Sequence, residues 1–306
     1  MTLVLMFPGQ SSRYPEMLAR VAHVAPAVVE QANDLLGRDI VATLDLQTHR
    51  DVQLGVFLAN HLHLQRVGQT GLQTVHSLGL SLGEYNHLVH IGALAFADAV
   101  KLVEARGNLF DHARGGLMVS VFPLEARVIE AAIARLGVGD RVGIGLYNSP
   151  RQNVISGERA AVEAVVSVLE ADDYFEAVPI EHRIPMHSPA FRDAAAQFGE
   201  ILAATPFSMP RADYLPNTTG EVALDPSPIT VRARLADHVW KPVRWRASVD
   251  AYATRIDFPY FLEVGPKAVL HSLFGKDWMP GRRGKTDATT SLVDLTRIAE
   301  ELLREP

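Results

Sequence analysis

The chain has 306 residues, 48% of them hydrophobic, a formal net charge of −6 and no cysteine. Disulfides, thiol catalysis and thiolate metal sites are therefore excluded, and the acidic balance argues against a general nucleic-acid binder. No window approaches the roughly 18–20 apolar residues of a membrane span, and the N-terminal apolar run is too short and lacks the basic flank of a signal peptide, so a cytoplasmic protein without membrane or nucleic-acid partners is expected.

The segment "TLVLMF" (2–7), closed by Pro8-Gly9, reads as a fully buried strand of the kind found in parallel sheets. Helical patterns follow over 15–36 and 52–67. "LQTVHSLG" (72–79) reads as the next strand, with a helix beginning just after Ser81, and a further helix is expected over 95–113, opened by Asp98 in its first turn. On that helix Lys101, Glu104, Asn108 and Asp111 form the polar face. Arg106 stands three residues after Val103 and four before Phe110, on the apolar stripe. A guanidinium there needs an anionic partner. It is either a structural ion pair, a stem that reaches out to water, or a clamp for a substrate carboxylate, which its planar fork binds through two hydrogen bonds.

From 116 the rhythm changes. A strand (116–122), an amphipathic helix stopped by Gly137 (124–137), strands over 141–148 and 152–157, a helix (158–173) and a strand (175–180) follow in turn. That order, β-α-β-β-α-β, is the ferredoxin-like motif. The expected organisation is thus an α/β body, 1–115 and 186–306, carrying a ferredoxin-like insertion over 116–185. The body resumes with a helix near 189–204, a strand near 213–220, a helix near 229–238 and a strand over 260–266. A polar, basic surface loop (276–290) and a last helix (292–304) complete it.

Gly79-Leu80-Ser81-Leu82-Gly83 has the form G-x-S-x-G. The pentapeptide alone is weak and fits a plain strand-to-helix turn. With a strand before it and a helix after it, it fits a nucleophile elbow, in which glycines relieve crowding and the Leu82 backbone N–H is free to meet an oxyanion. A serine nucleophile needs a base, and 12 histidines compete. His61 and His63 lie two apart on a helix, pointing to different faces, a poor metal pair; no metal site is expected. His87 and His90, after the elbow, read as surface or packing residues. His187 lies between Pro185 and Pro189, where the chain leaves the insertion, and is placed to reach a cleft between domains.

Taken together, these residues resemble the malonyl-CoA:acyl carrier protein transacylase family, including the acyltransferases and related acyl hydrolases of polyketide assembly. "FPGQSSRYPEM" is similar to the family's F-P-G-Q-G-S-Q segment, and "GLSLGEYNHLVHIGALAFADAVKLVEARG" to its G-H-S-L-G-E segment and the helix bearing a carboxylate-binding arginine. "YNSPRQNVISG", "IPMHSPAF", "WKPVRW" and "FLEVGPKAVL" match later segments in the same order. The resemblance implies an α/β-hydrolase-like large domain with an inserted ferredoxin-like small domain. It makes Ser81 the nucleophile, His187 its base, Gln10 and the Leu82 N–H the oxyanion hole, and Arg106 the carboxylate clamp, with Gln53 in the pocket. His238 aligns with the residue whose carbonyl orients the catalytic imidazole. Acyl-CoA and the phosphopantetheine of an acyl carrier protein are the implied substrates, with no bound cofactor and a monomer expected.

Several positions depart from the family pattern. Leu80 replaces the usual histidine before the serine, Ser11-Ser12-Arg13 replaces glycine, serine and glutamine, and Met186 stands where serine or phenylalanine is usual. Lys267 replaces the second glycine of E-V-G-P-G. Leu80 and Met186 bear on the acyl group. Malonyl transfer to a carrier protein is the leading expectation. A hydrolase clearing stalled acyl groups from carrier proteins, or a transferase for a larger acyl group, is the alternative. A non-catalytic docking module would not need the serine, the histidine and Gln10 together. Carrier proteins are acidic, so Arg183, Lys267, Arg282, Arg283 and Lys285 are candidate docking cations, although the last three also suit a solvated loop.

Overall fold

A computed structural model describes residues 1–275 and 277–304. Its strands, in chain order, are β1 (Thr2–Phe7), β2 (Ser77–Gly79), β3 (Gly116–Phe122), β4 (Val142–Tyr147), β5 (Asn153–Glu158), β6 (Glu176–Glu181), β7 (Pro259–Glu263) and β8 (Arg282–Lys285). The helices are α1 (Met17–Val21), α2 (Pro26–Leu36), α3 (Ile40–Thr43), α4 (His49–Gly68), α5 (Gly83–His90), α6 (Phe96–His112), α7 (Ala126–Leu136), α8 (Arg159–Asp172), α9 (Arg192–Ala204), α10 (Pro228–His238), α11 (Trp245–Arg255), α12 (Leu270–Leu273) and α13 (Leu292–Arg304).

One sheet, in the order β2-β1-β7-β8, is parallel throughout. β1 lies inside it with every residue from Leu3 to Phe7 buried, because both faces are covered. Alternate side chains serve different cores: Val4 and Met6 face the main one, while Leu3, Leu5 and Phe7 pack with Leu262, Ala299 and Leu302 under α13. α4 is buried along most of its length, polar Gln53 and Asn60 included. α6 packs along it closely enough that a Cβ on Gly107 would come within 2.4 Å of the Arg50 Cα. Glycine beside Arg106 is what brings that arginine against α4.

The second sheet is antiparallel, in the order β4-β5-β3-β6, with α7 and α8 packed on it through Ile129, Ile133, Val162 and Val165. This is the ferredoxin-like arrangement expected from the sequence. β4 is tied to the segment between α10 and α11 where the Tyr147 N–H donates to the Val243 carbonyl (2.9 Å) and the Val243 N–H to that of Gly145 (2.8 Å).

Some elements differ from expectation. The helix over 15–36 breaks into α1, a 3-10 turn (Ala22–Val24) and α2, because Pro26 bars a helical residue before it. Only Ser77–Gly79 of the strand expected over 72–79 forms, and the Thr74 hydroxyl takes the Leu3 carbonyl at 2.6 Å, an acceptor a longer ladder would have used. The segment 213–220 is not a strand but a run of turns, in which the N–H groups of Thr219 and Gly220 fold back onto the Pro216 carbonyl. The basic loop over 276–290 contains β8, a charged edge strand beside β7; its Lys276 lies outside the described residues. α11 went unread, although Trp245, Val249 and Tyr252 recur at helical spacing and are buried. Among the described residues no helix is long and apolar enough to cross a membrane, and no group of three or more histidine or acidic side chains could hold a metal ion.

Candidate active site

The elbow forms where β1, β2 and α5 crowd together. A Cβ on Gly79 would lie 2.0 Å from the Gly83 carbonyl oxygen, and one on Gly83 would lie 2.0 Å from that of Phe7. Only glycine fits at either place. Between them Ser81 is held at φ 51, a left-handed conformation that costs a non-glycine residue about 1–3 kcal/mol and persists only when its surroundings enforce it. Asn217 does so: its Oδ1 accepts the Ser81 N–H at 2.7 Å and its Nδ2 donates to the Gly79 carbonyl at 2.6 Å. The Leu82 N–H, next along, meets no acceptor among the described residues.

His187 is also left-handed, at φ 60. Its loop is held from β5 and from the end of α10. The His187 N–H donates to Val239 (3.0 Å), the Ser188 hydroxyl to Pro185 (2.7 Å), and the Ser156 hydroxyl of β5 to the Met186 carbonyl. The imidazole Nδ1 lies 2.7 Å from the His238 carbonyl oxygen and Nε2 lies 2.9 Å from Ser81 Oγ. A carbonyl only accepts, so Nδ1 carries the proton and Nε2 accepts from the serine hydroxyl. Burial, with the Arg106 charge adding to it, pushes the His187 imidazole down to about 3, so the ring is neutral and able to take a proton throughout the neutral range.

The Ser81 hydroxyl opens on a cleft of about 60 Å³ lined by Gly9, Gln10, Leu80, Met118, Leu146 and Met186, with Arg13 and Glu181 also on its rim. Gln10 begins a 3-10 turn whose two following residues lock it locally. Ser12 donates to the Gly9 carbonyl at 2.8 Å and Arg13 to that of Gln10 at 3.2 Å. Of these, Ser12 keeps the family's serine and Arg13 replaces its glutamine, and both restrain the loop through hydrogen bonds.

Arg106 stands behind that wall, 1% exposed. Its Nη1 donates to Gln53 Oε1 at 2.6 Å and its guanidinium lies over the Phe110 ring at 4.4 Å. Its Nε and Nη2, and Nε2 of Gln53, are buried with no partner, and no carboxylate lies within ion-pair distance of Arg106 among the described residues. Two unused donors on a buried cation, with a third on the adjoining Gln53 amide, suit an anionic partner, since a buried charge is stable only when paired and hydrogen-bonded. Neither Arg106, Gln53 nor His238 lines the open cleft; they form the layer beneath Ser81 and His187.

Sequence reasoning missed two residues. Asn217 was hidden by reading its segment as a strand. Glu84, after the elbow, is fully buried: it accepts from the Tyr214 hydroxyl at 2.7 Å and the Asn217 N–H at 3.2 Å. His87 and His90 are packing residues, both bonded to the Ser77 hydroxyl at 2.8 Å. Of the candidate docking cations, Arg283 donates to the His271 carbonyl, Lys285 pairs with Asp287, and Arg282 with Glu301. Lys267 is exposed, and Arg183, half-buried, donates to the Gln47 carbonyl.

Comparison with known proteins places this geometry in context. The family model described as acyl transferase domain matches residues 16–277. The chain is 31% identical to the malonyl CoA-acyl carrier protein transacylase of Haemophilus influenzae over 283 residues, covering 88% of this chain and 90% of that one. It is 30% identical to the polyketide biosynthesis protein ThaF of Burkholderia thailandensis, covering 92% of this chain and 25% of that much longer one. Among solved structures, a malonyl-transacylase in complex with a type II PKS acyl-carrier protein matches with a TM-score of 0.89 at 28% identity, covering 97% of this chain and all of that one.

Proposed function

The chain belongs to the acyl transferase domain family, and from that premise we propose that it moves a malonyl-type acyl group from coenzyme A to the phosphopantetheine thiol of an acyl carrier protein, by way of an ester on Ser81. The Ser81 oxygen attacks the thioester carbonyl as its proton passes to His187 Nε2. The oxyanion is met by the Leu82 N–H, with Gln10 beside it. The imidazolium, steadied through Nδ1 by the His238 carbonyl, returns the proton to the departing thiolate. The same steps in reverse, with the phosphopantetheine thiol as nucleophile, deliver the acyl group.

The observation that carries the malonyl assignment is the pair of unpartnered guanidinium nitrogens, Nε and Nη2 of Arg106, together with the unpartnered Nε2 of Gln53. A neutral acyl group has no use for them; a carboxylate satisfies them. Met118 and Met186 line the cleft, and their unbranched, adaptable side chains can shift to let the carboxylate reach that layer. Arg13 on the rim, with Arg183 two residues from Glu181, offers the positive side on which an acidic carrier would approach.

The apolar wall of Leu80, Met118, Leu146 and Met186 favours a second reading, a hydrolase or transferase for neutral acyl groups. Arg106→Ala separates the two. Leaving a malonyl carboxylate buried and unpaired costs roughly 2–5 kcal/mol, so malonyl loading falls by about 30-fold or more at 1.4 kcal/mol per decade, while acetyl loading holds or rises. Equal loss for both acyl groups in a folded variant would make Arg106 structural and favour the second reading.

A further inference from the structure

The layer under the dyad holds one buried acid, Glu84, that the mechanism above does not use. Its carboxyl is joined to both halves of the dyad. On one side Oε2 holds the Asn217 N–H, and the Asn217 side chain fixes the Ser81 backbone. On the other, Oε2 lies 3.4 Å from His238 Nδ1, and the His238 carbonyl fixes His187. The His238 ring stacks on that of His187, centroids 4.9 Å apart, and neither of its nitrogens has a hydrogen-bond partner. The groups around Glu84 are Tyr85 and His87 on its own helix, Tyr214 and Asn217 on the turn segment, His238 on α10, and Arg106 on α6, whose charge acts on it. Both histidines are held neutral by burial. Arg106 and Glu84 are thus the two charges of this layer, one of each sign.

We propose that Glu84 is a positioning residue for the dyad and the counter-charge of Arg106, ionised while the Arg106 fork is empty and protonated once a substrate carboxylate occupies it. Two buried carboxylates cannot both stay ionised beside one cation in a low-dielectric layer; the one without the fork takes a proton. Burial already holds Glu84 up at about 7, against the lowering influence of Tyr214, Asn217 and Arg106, so neutralising Arg106 moves it across the working range. The proton comes from solvent, one for each ester formed, and His238 Nδ1 faces the oxygen that is left to share it. Ester formation itself is proton-neutral below the thiol's own ionisation: the serine loses a hydrogen and the released coenzyme A thiol keeps one.

The inference rests on the malonyl reading. It is tested by mixing stoichiometric enzyme and acyl-CoA in weak buffer at about pH 7.5, below the ordinary thiol range near 8.5. A pH indicator counts protons, and intact-mass spectrometry counts ester in the same samples. Malonyl ester should form with uptake of most of a proton, and acetyl ester with none. Glu84→Gln should keep the bonds to Asn217 and Tyr214, whose hydroxyl can turn to accept, and form malonyl ester without uptake. If that variant does not fold, Arg106→Ala serves instead, its malonyl ester forming slowly and without uptake because its Glu84 has lost the cation that kept it ionised. Malonyl ester formed by the native protein without uptake, or uptake undiminished in a variant, would overturn the role of Glu84 alone. Failure to form malonyl ester while acetyl ester forms would overturn the malonyl reading, and this inference with it.

Discussion

Ser81 and His187 both occupy left-handed backbone conformations, and they meet at 2.9 Å with the donor and acceptor roles fixed by the His238 carbonyl. Ser81→Ala removes only the hydroxyl from a turn held by glycines and Asn217. It should leave thermal stability near that of the native protein and abolish the acyl ester, as read by intact-mass spectrometry; an ester on the alanine variant would place the nucleophile elsewhere. For His187 the prediction concerns pH. A histidine with a depressed pKa is neutral above that value, so the base is competent across the neutral range and gains nothing as pH rises through 6.5. An NMR titration of the His187 ring from pH 5 to 8 should be flat, and a midpoint near 6.5 would contradict the assigned environment. Arg106 was legible as an anomaly because a charged residue at helical spacing from Val103 and Phe110 has to be buried with them. Glu84 was not legible, because helix α5 is buried nearly all round and its short sequence offers no polar face against which a misplaced acid would stand out.

At the scale of the element, the elbow depends on a segment far away in sequence. Asn217→Ala leaves the Ser81 N–H and the Gly79 carbonyl unsatisfied, each at about 1–3 kcal/mol. The melting temperature should fall, and ester formation should slow by about tenfold or more if a single such loss, near 1.4 kcal/mol, reaches the transition state. Stopped-flow acylation beside thermal unfolding checks this: a lower melting temperature with unchanged acylation would make Asn217 a fold residue without influence on the serine. The segment around Asn217 was misread because "DYLPNTTG" carries Tyr214, Thr218 and Thr219, residue types common in strands, while its turns come from Pro216, Gly220 at φ 69 and side-chain bonds that periodicity does not encode. By contrast α6 and the insertion's helices were readable, since each buries a face whose period appears directly in the sequence, and β1 was readable as a continuous apolar run. The break in the 15–36 helix was also present in the sequence, at Pro26.

At the scale of the molecule, the serine rests on the parallel sheet and the histidine loop is gripped from the antiparallel one, where a Cβ on Gly145 would lie 3.5 Å from that of His187. The alternation of strands and helices from 116 onward revealed that second sheet. What it could not reveal is that Ser156 and Gly145 of that sheet pack against the His187 loop, because such contacts join residues with no sequence relation. Transfer through a Ser81 ester to a carrier thiol is decided by how that ester partitions between the thiol and water. Enzyme loaded from labelled malonyl-CoA is freed of coenzyme A, mixed with holo acyl carrier protein, and the label is followed in a single turnover. Label should leave Ser81 for the carrier thioester, and the ester should persist when the carrier is withheld. Release of the label as free malonate at the same rate with or without carrier would contradict it.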